Sequence, residues 1–477
     1  MKTVRLAVLA LAVAAPAWAQ PNLLVRGAYL QSTTPTSVTV VWRTLLPEDS
    51  VVRYGTSVTA KTQTATGASG ADHVVTLTGL TPDTEYFYEV GTASTRRDPA
   101  SSSDAAQYHF RTHPAPGTVK PFRFWVVGDD GNGSLAQTTV ISSMRNFWSS
   151  PGQRPPDLFV HVGDMAYTDG TDLEFTTRFF APHAATLRNT PVWPAMGNHE
   201  GHSSSGGSQS GPYYEAYVLP RQGEAGGVPS GTEAYYSFDY ANAHFVVLDS
   251  YDVSRAPTGT MATWLRSDLM ATAQDWIIVY FHHPPYTRGT HDDLETAQLE
   301  MRENILPILE AAGVDLVLAG HSHIYERSFL VNGATQTPVV VQGHILDMGS
   351  GRLDGGTGPY RKQPGQVAND GTVYVVAGHG GASLGGTADH PIMYFSEKQH
   401  GSVLVDISGN RLDLLNLRMD GVVSDTFTLV KDRAPDGGVL MPDAGVDGGV
   451  ADGGTGGGAV GGGAGGGAGG GGGATGG

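Results

Sequence analysis

The stretch DLFVHVGDMAYTDG, residues 157–170, decides how this chain is read. Leu158 to Val162 is a short apolar run broken only by His161, the pattern of a strand covered on both faces. The run stops at Gly163-Asp164, and Tyr167 follows three positions on. A carboxylate and a phenol stand just past the end of a buried strand.

The same ending recurs on both sides of this stretch. FRFWVV closes on Gly128-Asp129, PVWPAM on Gly197-Asn198-His199-Glu200, WIIVYF on His282-His283, and VDLVLA on Gly320-His321-Ser322-His323. Ligands of open α/β sheets bind outside the carboxyl ends of the strands. One such ending is a common turn or cap. Five in order, bringing Asp, Asp, Asn, His and His-x-His, make one set of oxygen and nitrogen donors. The neighbouring glycines let backbone turn sharply and approach closely. Helical spacing in LAQTTVISSMRNF and from Leu294 to Ala312 separates strand runs, so residues 120–431 read as an α/β domain. TVYVVAG, SVLVDI, RLDLLNL and DTFTLV read as its closing strands.

Upstream, residues 22–113 read as an all-β sandwich of short Val-, Thr- and Tyr-rich strands separated by turn residues. Leu80 to Tyr86, LTPDTEY, is similar to the tyrosine corner of fibronectin type III domains, whose phenol bonds back to the chain entering the strand. Tyr86, Tyr88 and Val90 then share one face, with Phe87 and Glu89 on the other. Ala93 to Ala106 is expected to be an exposed loop, and Thr112 to Gly117 a linker.

The two ends are not core. Lys2 and Arg5, the apolar LAVLALAVAAPA and Ala17-Trp18-Ala19 read as a signal peptide over 1–19, which implies a secreted protein (extracellular, periplasmic or cell surface). From 432 to 477 the chain becomes Asp-Gly and Gly-Ala repeats, expected to be a disordered Gly-rich tail. No other stretch suits a membrane span.

The chain of 477 residues has no cysteine, so any metal must be held by His, Asp, Glu, Asn or Tyr. Its formal net charge of −17 argues against general nucleic-acid binding and predicts that positive charge for an anionic substrate is local.

GDDG (128–131), GDMAY (163–167), GNHE (197–200), VYFHHPPY (279–286) and GHSHIYER (320–327) resemble the ordered motif set of the purple acid phosphatases, which belong to the calcineurin-like metallophosphoesterases. The resemblance covers roughly residues 22–431, since plant-type members also carry an N-terminal fibronectin-like domain. It implies a C-terminal α/β metallophosphoesterase domain layered αββα. It also implies a binuclear centre of Fe(III) plus a divalent Zn, Fe or Mn. Carried over residue by residue, Asp129, Asp164, Tyr167 and His323 hold the first metal. Asp164, shared, then holds the second with Asn198, His282 and His321. Anionic oxygens suit ferric iron, and Asn with His suits a divalent ion. Two such cations outweigh two aspartates, a phenolate and a hydroxide, which gives an acidic protein a local positive centre.

The implied activity is acid phosphatase, a hydrolase acting on small phosphate monoesters by attack of metal-bound hydroxide. His199 and His291 match the family's histidines that bind phosphate and protonate the leaving group. Plant-type members often carry two adjacent histidines where this chain has His291-Asp292. Asp292 is therefore a candidate to orient His291 or to repel anionic substrates. His283, Glu200 and Glu326 read as supporting or structural groups. Gly378-His379-Gly380-Gly381 resembles the family's late Gly-rich turn. Arg361 and Lys362 are expected in a surface loop, Leu353 to Gly365, where they would be placed to select substrates. A phosphodiesterase or nucleotidase on the same centre is the alternative. A surface-binding module with a vestigial centre is a third reading. The second metal, the preferred ester and the oligomeric state stay open.

Overall fold

The computed structural model describes residues 22–434. The signal peptide read over 1–19, and the tail beyond residue 434, lie outside them. Among the described residues no helix is long and apolar enough to cross a membrane.

The N-terminal part is all β. Its centre is the strand Ser37–Gly55, which pairs with Leu24–Gln31, Gln63–Thr78 and Glu85–Gly91. Register shifts between Arg43 and Ser50 kink this strand, so its two halves serve opposite sides of one core. Leu30, Val40, Trp42, Val52, Leu77 and Tyr88 fill that core. The Tyr86 hydroxyl accepts the Thr81 N–H at 3.0 Å, which fastens the turn to the strand it enters. The segment read as an exposed loop, Ala93 to Ala106, is partly ordered instead. It holds the strand Arg96–Asp98 and a 3-10 turn, Ser102–Gln107. Asp98 is buried there because the Ala28 N–H, at 3.0 Å, and the Tyr108 hydroxyl satisfy its carboxylate.

The second part is built on two seven-stranded sheets. One runs, edge to edge, Tyr360–Lys362, Val423–Lys431, Arg411–Arg418, Gly401–Ser408, Phe122–Val127, Leu158–His161 and Val192–Pro194. The other runs Tyr236–Tyr240, Ala243–Val247, Trp276–Tyr280, Leu316–Ala319, Val373–Ala377, Tyr325–Ser328 and Met393–Glu397. The sheets face each other through aromatic pairs, Trp193 on Phe238 at 3.9 Å and Phe124 on Phe245 at 5.3 Å. The helix Leu135–Trp148 covers the outer face of the first sheet, Trp148 meeting Trp125 at 5.5 Å. The helix Leu306–Ala311 covers the second, where Tyr374 donates to Glu310 at 2.9 Å. The result is four layers, αββα. Each chemistry-bearing strand is parallel to at least one neighbour, Phe122–Val127 with Leu158–His161 and Val192–Pro194, and Trp276–Tyr280 with Leu316–Ala319. That topology makes each run apolar throughout and sends neighbouring carboxyl ends to one edge.

The helical segment read from Leu294 to Ala312 starts at Thr296 and passes through a π turn, Met301–Ile305. Pro307 explains the interruption, because it has no N–H to continue an α-helical ladder. A second difference concerns Arg361 and Lys362. Tyr360–Lys362 is a strand paired with Val423–Lys431, not a loop. Lys362 is fully buried, 2.7 Å from Asp315, whose other oxygen is 2.7 Å from Lys431. Lys362 is thus held inside the core by Asp315 and by the Gly313 and Val314 carbonyls rather than displayed on a loop. The chain also stays packed past Lys431, with Asp432 paired to Arg361 and Arg433 to Asp370.

The two parts are joined by polar contacts as well as packing. Arg26 and Arg43 each reach Asp172 at 2.6 Å, and Tyr29 donates to the Ala216 carbonyl at 2.7 Å.

Candidate metal centre

Five loops leave the sheet edges and are stitched to one another by backbone. The Asp129 N–H donates to the Gly163 carbonyl at 3.0 Å, and the Gly320 N–H to the His282 carbonyl at 2.9 Å. Asp129, Asp164 and His321 have φ of 57°, 59° and 65°, a left-handed conformation that costs a non-glycine residue about 1–3 kcal/mol. The preceding glycines are required sterically. A Cβ on Gly163 would lie 2.4 Å from His282 Nδ1, and one on Gly197 would lie 2.1 Å from Asp164 Oδ1.

Each aspartate has one oxygen fixed and one turned inward. Asp129 Oδ2 accepts the His321 N–H at 2.8 Å, leaving Oδ1 3.2 Å from the Tyr167 hydroxyl and 3.6 Å from His323 Nε2. Asp164 Oδ1 accepts the His199 N–H at 3.0 Å, leaving Oδ2 3.3 Å from His282 Nε2. Tyr167 and His323 Nε2 are 3.2 Å apart. Asn198 Oδ1 lies 3.0 Å from His282 Nε2 and 2.9 Å from His321 Nδ1. Asp129, Tyr167 and His323 therefore form one cluster of donors, and Asn198, His282 and His321 form a second that includes Asp164.

The tautomers test whether cations suit these groups. His282 Nδ1 is 2.8 Å from the Val162 carbonyl, and His323 Nδ1 is 3.0 Å from the Ser383 carbonyl. A carbonyl accepts only, so both Nδ1 atoms carry protons and both Nε2 lone pairs point at oxygens. At His323 the Tyr167 hydroxyl can donate to that lone pair, but at His282 the oxygens of Asp164 and Asn198 only accept, and lone pair against lone pair is repulsive there without a positive charge between them. In the metal-free protein a proton plays that part at His282. Burial opposes it, yet the Asp164 carboxylate raises that imidazole to about 10. Burial pushes His321 down to about 4, leaving a neutral ring. Burial and the Asp164 and Asp129 charges push the Tyr167 phenol well up, so only a bound cation would favour its phenolate. The donor set suits metal ions, and Asp164, His282 and His321 by themselves already meet ligand spacing.

His199 and His291 sit on the open side. His199 Nδ1 is 2.6 Å from the Thr168 carbonyl, which turns Nε2 toward Asp164 Oδ2 at 3.8 Å. The His291 ring lies 4.0 Å from that of His321. Its Nδ1 is held by Glu295 Oε1 at 2.9 Å. Asp292 does not do this. Its carboxylate accepts the Leu294 N–H at 2.9 Å and shapes the turn. Glu295 lies four residues on, a spacing the sequence reading did not weigh.

The supporting residues are buried. Glu200 accepts four backbone N–H groups, from Asp164, Met165, Ala166 and Gly197, at 2.8–2.9 Å. His283 is 2.9 Å from Ser250 Oγ and packs its ring 4.2 Å from that of His321. Glu326 accepts from Thr287 at 2.6 Å, away from the donors. In the late Gly-rich turn, Gly380 donates to the Gly128 carbonyl at 3.1 Å and His379 is buried against Asn416 at 2.8 Å. Sequence reading missed one group entirely. Asp130 lies between His161 Nε2 at 3.0 Å and His183 Nε2 at 2.7 Å, all three fully buried. The only signals were the doubled aspartate in GDDG and a histidine inside an apolar run.

The family model described as calcineurin-like phosphoesterase matches residues 122–325, and that described as purple acid phosphatase, N-terminal domain, matches 26–112. The chain is 30% identical over 329 residues to purple acid phosphatase 23 of Arabidopsis thaliana, covering 62% of this chain and 64% of that one. It is 30% identical over 313 residues to the purple acid phosphatase of Glycine max, covering 61% and 62%. The matches thus span somewhat under two thirds of these relatives. In fold it is similar to a purple acid phosphatase from yellow lupin (Lupinus luteus) seeds, with a TM-score of 0.63 at 20% identity over 85% of this chain and 74% of that one.

Proposed function

Because this chain belongs to the calcineurin-like phosphoesterases, in their purple acid phosphatase branch, we propose that it is a binuclear metal-dependent acid phosphatase acting on phosphate monoesters. One observation carries the reading: the His282 and His323 Nδ1 atoms are tied to backbone carbonyls, which turns both Nε2 atoms toward buried oxygens, Asp164 and Asn198 for one ring and Asp129 and Tyr167 for the other. In this proposal Asp129, Asp164, Tyr167 and His323 hold a ferric ion. Asp164, Asn198, His282 and His321 hold Zn, Fe or Mn as the divalent partner. When bound, the pair would activate water and polarise the phosphoryl group.

The rest is done by side chains of this protein. Asp129 and Asp164 keep one oxygen each on backbone N–H groups, so their inward oxygens cannot rotate away. His199, locked by the Thr168 carbonyl, presents Nε2 to a phosphoryl oxygen. His291, locked by Glu295, presents Nε2 on the opposite side, placed to hand a proton to the departing alkoxide. Glu295 supplies the orientation foreseen for Asp292. The residue pattern over 1–19 supports export.

Metal analysis of purified protein, with rates on an aryl phosphate monoester and the matching diester, tests the reading. We expect two metal ions per chain and a faster monoester reaction that chelation abolishes. Metal-loaded protein that leaves both esters intact would reject it, and a faster diester reaction would replace it with a phosphodiesterase.

A further inference from the structure

A cleft of about 500 Å³ lies between the β part and the α/β part, away from the metal centre, and its charge is anomalous. Arg111, Arg145, Arg154 and Arg188 line it against two carboxylates, Glu85 and Asp157. The whole chain has the opposite balance, 29 Lys and Arg against 46 Asp and Glu. Local pairing does not consume this charge. Asp157 is taken by Arg154 at 2.6 Å and by the Arg123 N–H at 2.8 Å. Arg111 shares Asp83, at 3.4 Å, with Lys120. Among the described residues Arg145 and Arg188 have no carboxylate within ion-pair distance, and Arg188 donates only to Gln107, at 2.6 Å.

The cations converge rather than merely coexist. His109, on the cleft wall, is pushed below its ordinary range by burial, against the pull of Glu85 at 3.4 Å, with Arg111 and Arg188 adding to the fall. Arg188 lies over the Tyr108 ring at 5.1 Å, which holds its guanidinium plane in place. Arg111 comes from the β part and the other three from the α/β part, so an anion seated here would bridge both. Trp148, Tyr240 and Pro191 add an apolar wall. The volume is that of an ordinary small-molecule site, and seams between domains are where such sites concentrate.

We propose that this cleft is a second, non-catalytic site for a phosphoryl-bearing small molecule. Guanidinium forks match a phosphoryl dianion bidentately, and an organic substituent would lie on the apolar wall. Such a ligand would favour the docked arrangement of the two parts by binding only when both sides are in place.

The test is calorimetric titration of purified holoprotein with phenylphosphonate, whose C–P bond no phosphatase-type hydrolysis opens, and separately with inorganic phosphate. Wild type should bind one more molecule per chain than Arg145→Ser/Arg188→Ser, whatever the metal centre binds in either. The exposed Arg145→Glu, which puts no fold contact at risk, should weaken that extra site about tenfold or more with the hydrolytic rate unchanged. An extra site seen only with phenylphosphonate marks an organic phosphate as the ligand. One seen with both marks the phosphoryl group alone. Equal stoichiometry in wild type and the double variant, for both probes, would overturn the proposal.

Discussion

Glu200 Oε2 accepts the Asp164 N–H at 2.8 Å and the Gly197 N–H at 2.9 Å, joining two loops that the chain separates by more than thirty residues. Its other oxygen takes Met165 and Ala166. The carboxylate therefore sets where Asp164 and Asn198 point. Glu200→Gln keeps the volume but turns an amide donor toward backbone donors. We expect metal affinity to fall about 10–100-fold while the protein still folds, read by metal content after dialysis and by circular dichroism. Unchanged metal retention would show that the loops hold themselves.

Tyr167 lies 3.2 Å from both Asp129 Oδ1 and His323 Nε2. A phenolate on ferric iron absorbs visible light, so Tyr167→Phe should lose the colour and keep the divalent ion. An identical spectrum would remove tyrosine from the ligand set.

His291 is held by Glu295 at 2.9 Å. If it donates the leaving-group proton, His291→Ala should lower kcat about 10²–10⁴-fold on an alkyl phosphate. The loss should shrink on an aryl phosphate whose leaving group needs no proton. Glu295→Gln, which loosens the hold on that ring, should lower kcat on the alkyl ester more than on the aryl ester without changing metal content. Equal losses on both esters would assign His291 to binding instead.

Gly163 has φ 98° and faces His282 Nδ1 across the space a methyl group would fill. Gly163→Ala should destabilise the protein by more than about 1 kcal/mol and reduce metal content, seen by denaturant titration with metal analysis. A variant of wild-type stability would mean the loop has room the geometry denies.

His244 is buried between Asp239 Oδ1 at 2.8 Å and Asp268 Oδ2 at 2.9 Å. Burial works against its charge, but the two carboxylates prevail and raise it to about 9. A folded value above the unfolded one stabilises below the unfolded pKa, about 6.5, and is lost as pH climbs through about 9. That contribution is on the order of 3 kcal/mol. Unfolding midpoints of wild type should drop between these pH values, and those of His244→Gln should drop less. Parallel curves would refute the linkage.

Much of the α/β part was legible because parallel strands buried on both faces become unbroken apolar runs. FRFWVV, LFVH and WIIVY are visible without any partner in view. Met393–Glu397 was not foreseen, since this edge strand is half-exposed along its whole length and carries no period. Lys362 was misplaced because a Lys-Gln-Pro-Gly context is polar by composition. The Asp315 side chain and the Gly313 and Val314 carbonyls, far along the chain, account for its burial.

Residue type and order were enough to say that aspartates, a tyrosine, an asparagine and histidines follow strand ends. Topology then brings such ends together, because parallel strands must finish at one edge. Which atoms face inward was decided only in three dimensions. A carboxylate has two oxygens and an imidazole two nitrogens, and nothing local chooses between them. The choice falls to distant backbone, the His321 N–H for Asp129 and the Val162 carbonyl for His282. The arginine cleft is of the same kind: Arg111 and Arg188 are unremarkable along the chain and become neighbours only where the two parts meet.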